Sequence, residues 1–92
     1  MNKDKILITI SGLDKVGIVA GISHTLAQLG VNIEDIKQTI MQDHFVMMML
    51  CDISKTQNSF KTIKDELIKS GENLGMEVWV QRKEIFDKMH TI

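Results

Sequence analysis

The residues best suited to chemistry in this 92-residue chain form a glycine-bearing segment, residues 12–19, which reads Gly-Leu-Asp-Lys-Val-Gly-Ile-Val. The apolar, β-branched stretch before it, residues 5–11, is typical of a strand. After Gly17, apolar residues recur with helical spacing. The segment is therefore predicted to join the end of a strand to the start of a helix, where the first backbone N–H groups have no intrahelical partner.

Such a helix start can hold a carboxylate, because the helix dipole places positive charge there. Gly17 lacks the Cβ that would keep a ligand away from the backbone. We interpret the segment as a seat for a carboxylate or an amino acid. The alternative is structural: Asp14 and Lys15 would form a solvated turn, and Gly17 would only begin the helix.

The other chemically interesting side chains predict no second site. Thioether sulfur suits copper(I), but successive strand residues point to opposite faces, so Met47, Met48 and Met49 cannot converge on one ion. Cys51 shares the inward face with Met47 and is predicted to be an inert apolar filler. The three histidines fall on a helix, a turn and the tail, a spacing that forms no metal site: His24, His44 and His90. The sequence thus predicts no metal, no cofactor and no catalytic residue.

Six elements follow from the spacing of apolar and turn-forming residues. They are strands at about residues 5–11, 31–42, 45–53 and 75–84, and helices at about 17–29 and 58–73. The order is βαββαβ, with a tight turn between strands two and three. This order predicts an α+β, ferredoxin-like two-layer sandwich, in which both helices pack on one face of an antiparallel sheet.

The third predicted strand is apolar on both faces, which is unusual for a strand of an open two-layer fold. Residues of three strands would form an apolar patch on the helix-free face: Leu7, Val46, Met48, Leu50 and Trp79. A patch of that size needs a cover. The tail offers a short amphipathic helix whose apolar residues have helical spacing: Ile85, Phe86, Met89 and Ile92. We expect a homo-oligomer, whether the tail folds under its own sheet or reaches the sheet of another subunit.

Composition narrows the functional class further. Lys and Arg number 11 against 12 Asp and Glu, which gives no footprint for nucleic acid or an anionic membrane. The longest apolar run, residues 45–51, is too short to span a bilayer, and the N-terminus lacks the apolar region of a signal peptide. With a single cysteine, the chain is predicted to be cytoplasmic. It is read as one domain over 1–92, with a core at about 4–84 and a tail at 85–92.

The order of these motifs resembles the ACT domain. The resemblance rests on Gly12-x-Asp14-Lys15-x-Gly17-Ile18-Val19, an apolar helix, and then Gly30-x-Asn32-Ile33. It covers residues 4 to about 84. More narrowly, the chain resembles stand-alone single-ACT proteins related to the ACT halves of the glycine cleavage system repressor. Val16 stands where the commoner ACT motif has proline.

The resemblance implies a regulatory sensor of a small molecule, often an amino acid. ACT ligands usually lie between the loop after strand one of one subunit and strand two of a neighbour. Carried onto this chain, the ligand-binding residues would be Asp14, Lys15, Val16, Gly17, Ile18, Val19, Asn32 and Ile33. The backbone at 17–19 would hold a carboxylate, Asp14 an ammonium group, and Asn32 either one. Asn32 could instead bond its own backbone.

We therefore predict a domain that is not an enzyme, binds a small polar ligand and signals through oligomerisation or a partner protein. The alternative is an interaction module whose loop site stays empty. A ferredoxin-like acylphosphatase would need an arginine in its phosphate loop, but the only arginine, Arg82, falls at the far end of strand four. A metal chaperone of this fold would need a CxxC motif in the first loop, and the sequence has none there.

Overall fold

The computed structural model describes residues 4–89, and its elements follow the predicted order. The strands are β1 (Lys5–Leu13), β2 (Asn32–Met41), β3 (His44–Asp52) and β4 (Glu77–Arg82). The helices are α1 (Ile18–Gln28), α2 (Phe60–Asn73) and α3 (Lys83–Met89). The predicted ferredoxin-like βαββαβ class with a short C-terminal helix is confirmed.

The four strands form one antiparallel sheet in the order β2-β3-β1-β4. β1 and β3 are therefore central, and β2 and β4 are the edges. β1 pairs with β3 along its whole length, from Lys5 opposite Asp52 to Leu13 opposite His44. The sheet consequently has two distinct ends. The loop end carries the β1–α1 loop and the β2–β3 turn, and the opposite end carries the starts of β1 and β2.

Strand alternation divides β3 as predicted. One set of its side chains is buried in a cluster with residues of α1 and α2: Phe45, Met47, Met49 and Cys51. The other set is half-buried on the helix-free face: Val46, Met48 and Leu50. On β4, Val78 packs against the core cluster, whereas Trp79 is 49% exposed. The prediction that Met47 points inward while Met48 and Trp79 lie on the helix-free face is confirmed.

A bulge in β2 changes which of its residues face the helices. The register with β3 skips one position between Ile33 and Asp35, which leaves Glu34 as an extra residue. A bulge of this kind shifts the alternation of side chains that follow it. As a result, Asp35 and Lys37 lie on the helix-free face, opposite residues of β3 that also face away from the core.

α2 approaches β4 closely because Gly71 has no side chain. A Cβ at Gly71 would lie 2.2 Å from Cγ2 of Val78 and 3.3 Å from the carbonyl oxygen of Met76. Ser59 is the N-cap of α2, and its side chain accepts the N–H of Thr62. The helix layer is therefore held against the sheet with no room for a larger residue at this crossing.

The tail helix begins earlier than its apolar spacing predicts, because β4 ends at Arg82 and α3 starts at Lys83. α3 packs on β1 and β4 of its own chain. Ile85 and Met89 are 50% and 65% exposed, so the predicted apolar residues do not act as one buried face. Ile92, the last of them, lies outside the described residues. Within residues 4–89, no helix combines the length and apolar character required to cross a membrane.

Candidate ligand site

The loop after β1, residues 14–17, ends in a glycine whose backbone leaves the start of α1 open. Gly17 is the N-cap of α1 and has a φ of 93°, a left-handed conformation that favours glycine. Among residues 4–89, no side chain caps this helix, so its first N–H groups have no side-chain partner in that range. A Cβ at Gly17 would have no neighbour within 4 Å. The space in front of the helix start is therefore accessible to a ligand.

Most of the other predicted loop residues have exposed side chains, and one of them is buried in the core. Asp14 and Lys15 are exposed, and Val16 is 100% exposed. Ile18 belongs to the core cluster, so only its backbone could face a ligand. Val19, the next residue, is partly exposed. The loop thus offers one carboxylate, one ammonium group and backbone N–H groups.

Contacts with the β2–β3 turn hold this loop at its end of the sheet. The N–H of Asp14 donates to the carbonyl oxygen of Asp43 at 2.8 Å. Nearby, Ser11 Oγ and His44 Nε2 are 2.9 Å apart. Sequence spacing did not predict this serine–histidine contact, because the two residues come from different strands that only the sheet brings together.

The remaining predicted site residues, Asn32 and Ile33, lie at the opposite end of the sheet. Asn32 is the first residue of β2, and Met41, at the loop end, is the last. The 10 residues of β2 span about 30 Å. Asn32 is exposed, while Ile33 packs against the core. Within one chain, the loop and the start of β2 therefore do not meet.

A cleft of about 380 Å³ lies beside Asn32, where the end of α1, the start of β2 and the loop after β3 converge. Its lining residues are Gly30, Val31, Asn32, Asp52 and Lys55. Asp52 Oδ1 accepts the N–H of Ser54 at 2.7 Å. Hydrogen bonding from Ser54, helped by the nearby charge of Lys5, lowers the pKa of Asp52. The cleft thus combines a carboxylate held in its charged form with the ammonium group of Lys55.

Sequence reasoning did not find Asp52 and Lys55. Asp52 ends β3 and Lys55 lies in the loop after it, and only the tertiary fold makes them neighbours of Asn32. The sequence shows that Lys5 and Asp52 carry opposite charges. Only the register of β1 with β3 shows that they lie opposite each other. Lys5 donates to Glu34 and lies 3.5 Å from Asp52, and the Glu34 hydrogen bond is the main reason that the pKa of Lys5 is raised.

The buried thiol of Cys51 is unreactive, as its inward position on β3 predicted. Cys51 is fully buried, and burial raises the pKa of its thiol to about 12. The thiol is therefore protonated at neutral pH and is a poor nucleophile. Across residues 4–89, no three His, Cys, Asp or Glu side chains are grouped closely enough to hold a metal ion.

Comparison with known families agrees with the fold and with the order of the motifs. A family model described as "ACT domain" matches residues 4–81. The chain therefore belongs to the ACT domain family. ACT domains are regulatory ligand-binding domains, and amino acids are frequent ligands.

Individual relatives support the same assignment. A UPF0237 protein of Listeria monocytogenes is 49% identical over 86 residues, which is 94% of this chain and 97% of that protein. The structure of an ACT domain protein from Streptococcus pneumoniae has a TM-score of 0.79 and 38% identity, covering 90% of this chain and 93% of that one. A putative glycine cleavage system transcriptional repressor shares the fold, with a TM-score of 0.75 and 23% identity over 85% of this chain and 44% of its own.

Proposed function

We propose that the protein is a regulatory sensor of a small amino acid, which binds at a site that two copies of the chain build together. The observation that carries this proposal is the separation of the half-sites. The loop at 14–17 and Asn32 lie at opposite ends of one sheet. A ligand that uses both groups must therefore touch two chains.

The outer edge of β2 supports such a pairing. Among the described strands, β2 pairs only with β3, so its other row of backbone N–H and C=O groups is available to a further strand. Ile36 and Ile40, 39% and 50% exposed, lie on the helix side of this edge. Antiparallel pairing of β2 with β2 of a second copy would bury both side chains and continue the sheet across a two-fold axis.

The same antiparallel pairing would join the two half-sites. It sets the Asn32 end of one β2 beside the Met41 end of the other, which is the end that carries the loop. An α-amino acid fits the groups that would then converge. The N–H groups at the start of α1 would hold its carboxylate, and Asp14 or Asp52 would accept from its ammonium group.

A shared site would couple the ligand to assembly. A ligand that touches two chains favours the pair over the separate chains, by mass action. In this proposal the protein reports its ligand through its oligomeric state, or through a partner protein that recognises that state. The domain acts in the cytoplasm and carries out no catalytic step.

Calorimetric titration with a panel of amino acids tests the proposal. Asp14→Asn removes a charge-assisted hydrogen bond worth about 1.5–3 kcal/mol, so affinity should fall about ten- to a hundredfold. Asn32→Ala should also weaken binding. Glu66→Gln, at an exposed position of α2, is the matched control and should bind like the native protein. Gly17→Val is a poorer test, because a φ of 93° strains valine.

Mixing the two weakened variants separates a shared site from a site within one chain. In a two-fold dimer, a mixed pair contains one site with both changes and one site with neither. An equimolar mixture that exchanges subunits should therefore recover about a quarter of the native sites. Failure to recover, with both variants still dimeric, would contradict the shared site. Absence of binding to every amino acid would favour the interaction-module alternative.

A further inference from the structure

A second concave site, unrelated to the loop, lies between α3 and the helix-free face of the sheet. This slot has a volume of about 280 Å³. Its apolar lining consists of Leu7, Met48, Leu50 and Phe86. Its charged rim consists of Asp35 and Lys37 from β2 and Lys83 and Asp87 from α3. An apolar floor with a few charged groups around it is the usual composition of a small-molecule site.

α3 leaves the slot open because only part of its apolar surface faces the sheet. Phe86 lines the slot together with residues of β1 and β3. Ile85 and Met89 instead remain largely exposed. A helix that fully covered the apolar patch on the helix-free face would have Ile85 and Met89 packed against the sheet. α3 therefore forms one wall of the slot rather than a lid over it.

The charged residues of the two walls differ in whether they are paired with each other. On α3, Lys83 Nζ and Asp87 Oδ2 form an ion pair at 2.6 Å. On β2, Lys37 forms no ion pair with any residue in the described range, 4–89. The hydrogen bond that Asp35 makes within the described part of the chain is the one it accepts from the N–H of the adjacent Ile36, at 2.9 Å. The β2 wall thus presents one cation and one anion, two residues apart on the same face and about 6.6 Å apart along the strand.

We propose that this slot binds an α-amino acid with a large apolar side chain. The side chain would lie on Leu7, Met48 and Leu50, against the ring of Phe86. Lys37 would bind the carboxylate and Asp35 the ammonium group. A volume near 280 Å³ is just below the usual range for drug-sized ligands, about 300–1,000 Å³, and suits a molecule as small as an amino acid. The site lies within one chain, so it goes beyond the shared loop site proposed above.

The bulge in β2 is the feature that builds this wall. If Glu34 were paired with Leu50 in a regular ladder, Asp35 and Lys37 would face the helix side. Because Glu34 is bulged instead, both charges face the slot, and the apolar Ile36 between them faces away. The recognition groups and the apolar floor are therefore brought together by one irregularity in one edge strand.

Methionine methyl NMR on the full-length protein tests the proposal with L-phenylalanine as the probe. Met48 lies in the floor of the slot and Met41 at the loop end, so their methyl signals distinguish the two sites. Met48→Leu assigns the Met48 signal. We expect L-phenylalanine to shift Met48 saturably, and Lys37→Gln to weaken that response at least about tenfold. Lys64→Gln, at an exposed position of α2, is the matched control and should leave the response unchanged.

Two analogues of the probe examine the charge assignment. 3-Phenylpropionate lacks the ammonium group and phenethylamine lacks the carboxylate, so each should bind about tenfold more weakly than L-phenylalanine. Equal affinity for all three molecules would overturn the assigned roles of Asp35 and Lys37. The proposed site would be overturned if the Met48 signal did not shift with L-phenylalanine or L-leucine at millimolar concentration. It would also be overturned if the signal shifted only with protein concentration, because a second copy would then cover this face.

The same experiment shows whether binding in the slot is independent of the proposed loop site. Asp14→Asn should leave the Met48 response to L-phenylalanine unchanged, whatever it does to binding at the loop. If Asp14→Asn removed the Met48 response, the two sites would not be independent, and the slot would be wrong as an intrachain site.

Discussion

The two faces of the sheet differ in how completely they are covered, although the same strands supply both. On the helix side, Ile6, Ile8, Ile10, Met47 and Met49 have no exposed area. On the other side, the alternate residues are half-buried and Trp79 is half-exposed. The cover explains the difference, since α1 and α2 have 11 and 14 residues and α3 has 7.

This contrast separates stability from recognition in the molecule. The buried cluster of the described chain contains no polar or charged residue. The helix side of the sheet therefore contributes to stability and offers no buried polar group to a ligand. The groups that can bind a ligand lie at the rims of the sheet or on its half-covered face. A site on such a surface can be reshaped at lower cost to the fold than a site in a closely packed core.

The largest expected difference between the faces comes from two adjacent methionines. Met47→Ala deletes side-chain atoms from the buried cluster and should lower the free energy of unfolding by about 2–5 kcal/mol. Met48→Ala, on the half-covered face, should cost about 1 kcal/mol or less. Urea denaturation of both variants measures the difference. Equal costs would show that the two faces are equally closed.

Gly71→Ala tests how tightly the helix layer is packed. The added Cβ would meet Val78 at 2.2 Å, so overpacking should cost about 1–3 kcal/mol. Lys69→Ala, in the same helix at an exposed position, is the control, and should change stability by a few tenths of a kcal/mol. A neutral Gly71→Ala in thermal unfolding would mean that α2 can move away from β4.

Two neighbouring residues of α3 sharpen the description of the half-covered face. Phe86→Ala removes the ring that lines the slot and should cost about 1–2 kcal/mol. Ile85→Ala, at a half-exposed side chain, should cost about 0.5 kcal/mol or less. The reverse order in denaturant titrations would mean that α3 is rotated relative to the sheet.

Acid should lower the free energy of unfolding through Asp52, which lies 3.5 Å from Lys5 at the end of the sheet opposite the loop. The pKa of Asp52 is lowered in the folded chain, first by Ser54 and then by Lys5. Its contribution is therefore present above the unfolded pKa, about 4, and is lost as pH falls through the lower folded value. Asp52→Asn should flatten the loss of stability below about pH 4. Identical acid unfolding curves for both proteins would remove Asp52 from this role.

Much of this architecture could be predicted from the residues, because its signals are local. The alternation of β3 assigned Met47 and Met48 to their faces, since a strand has a period of two residues. Gly17 was identifiable from its place between a strand and a helix, and its positive φ agrees with that position. The tail was predicted as a helix, but helical spacing alone could not say that Phe86 would face the sheet while Ile85 would not.

The sequence by itself determined the order of the elements, the faces of the central strands and the chemistry available in the loop, because each depends on residues close together in the chain. The tertiary structure alone decided which distant groups become neighbours. It placed Asp52 and Lys55 beside Asn32, and it set Asn32 at the opposite end of the sheet from the loop. The bulge at Glu34 was also decided there, because register depends on how two strands pair and not on either strand alone.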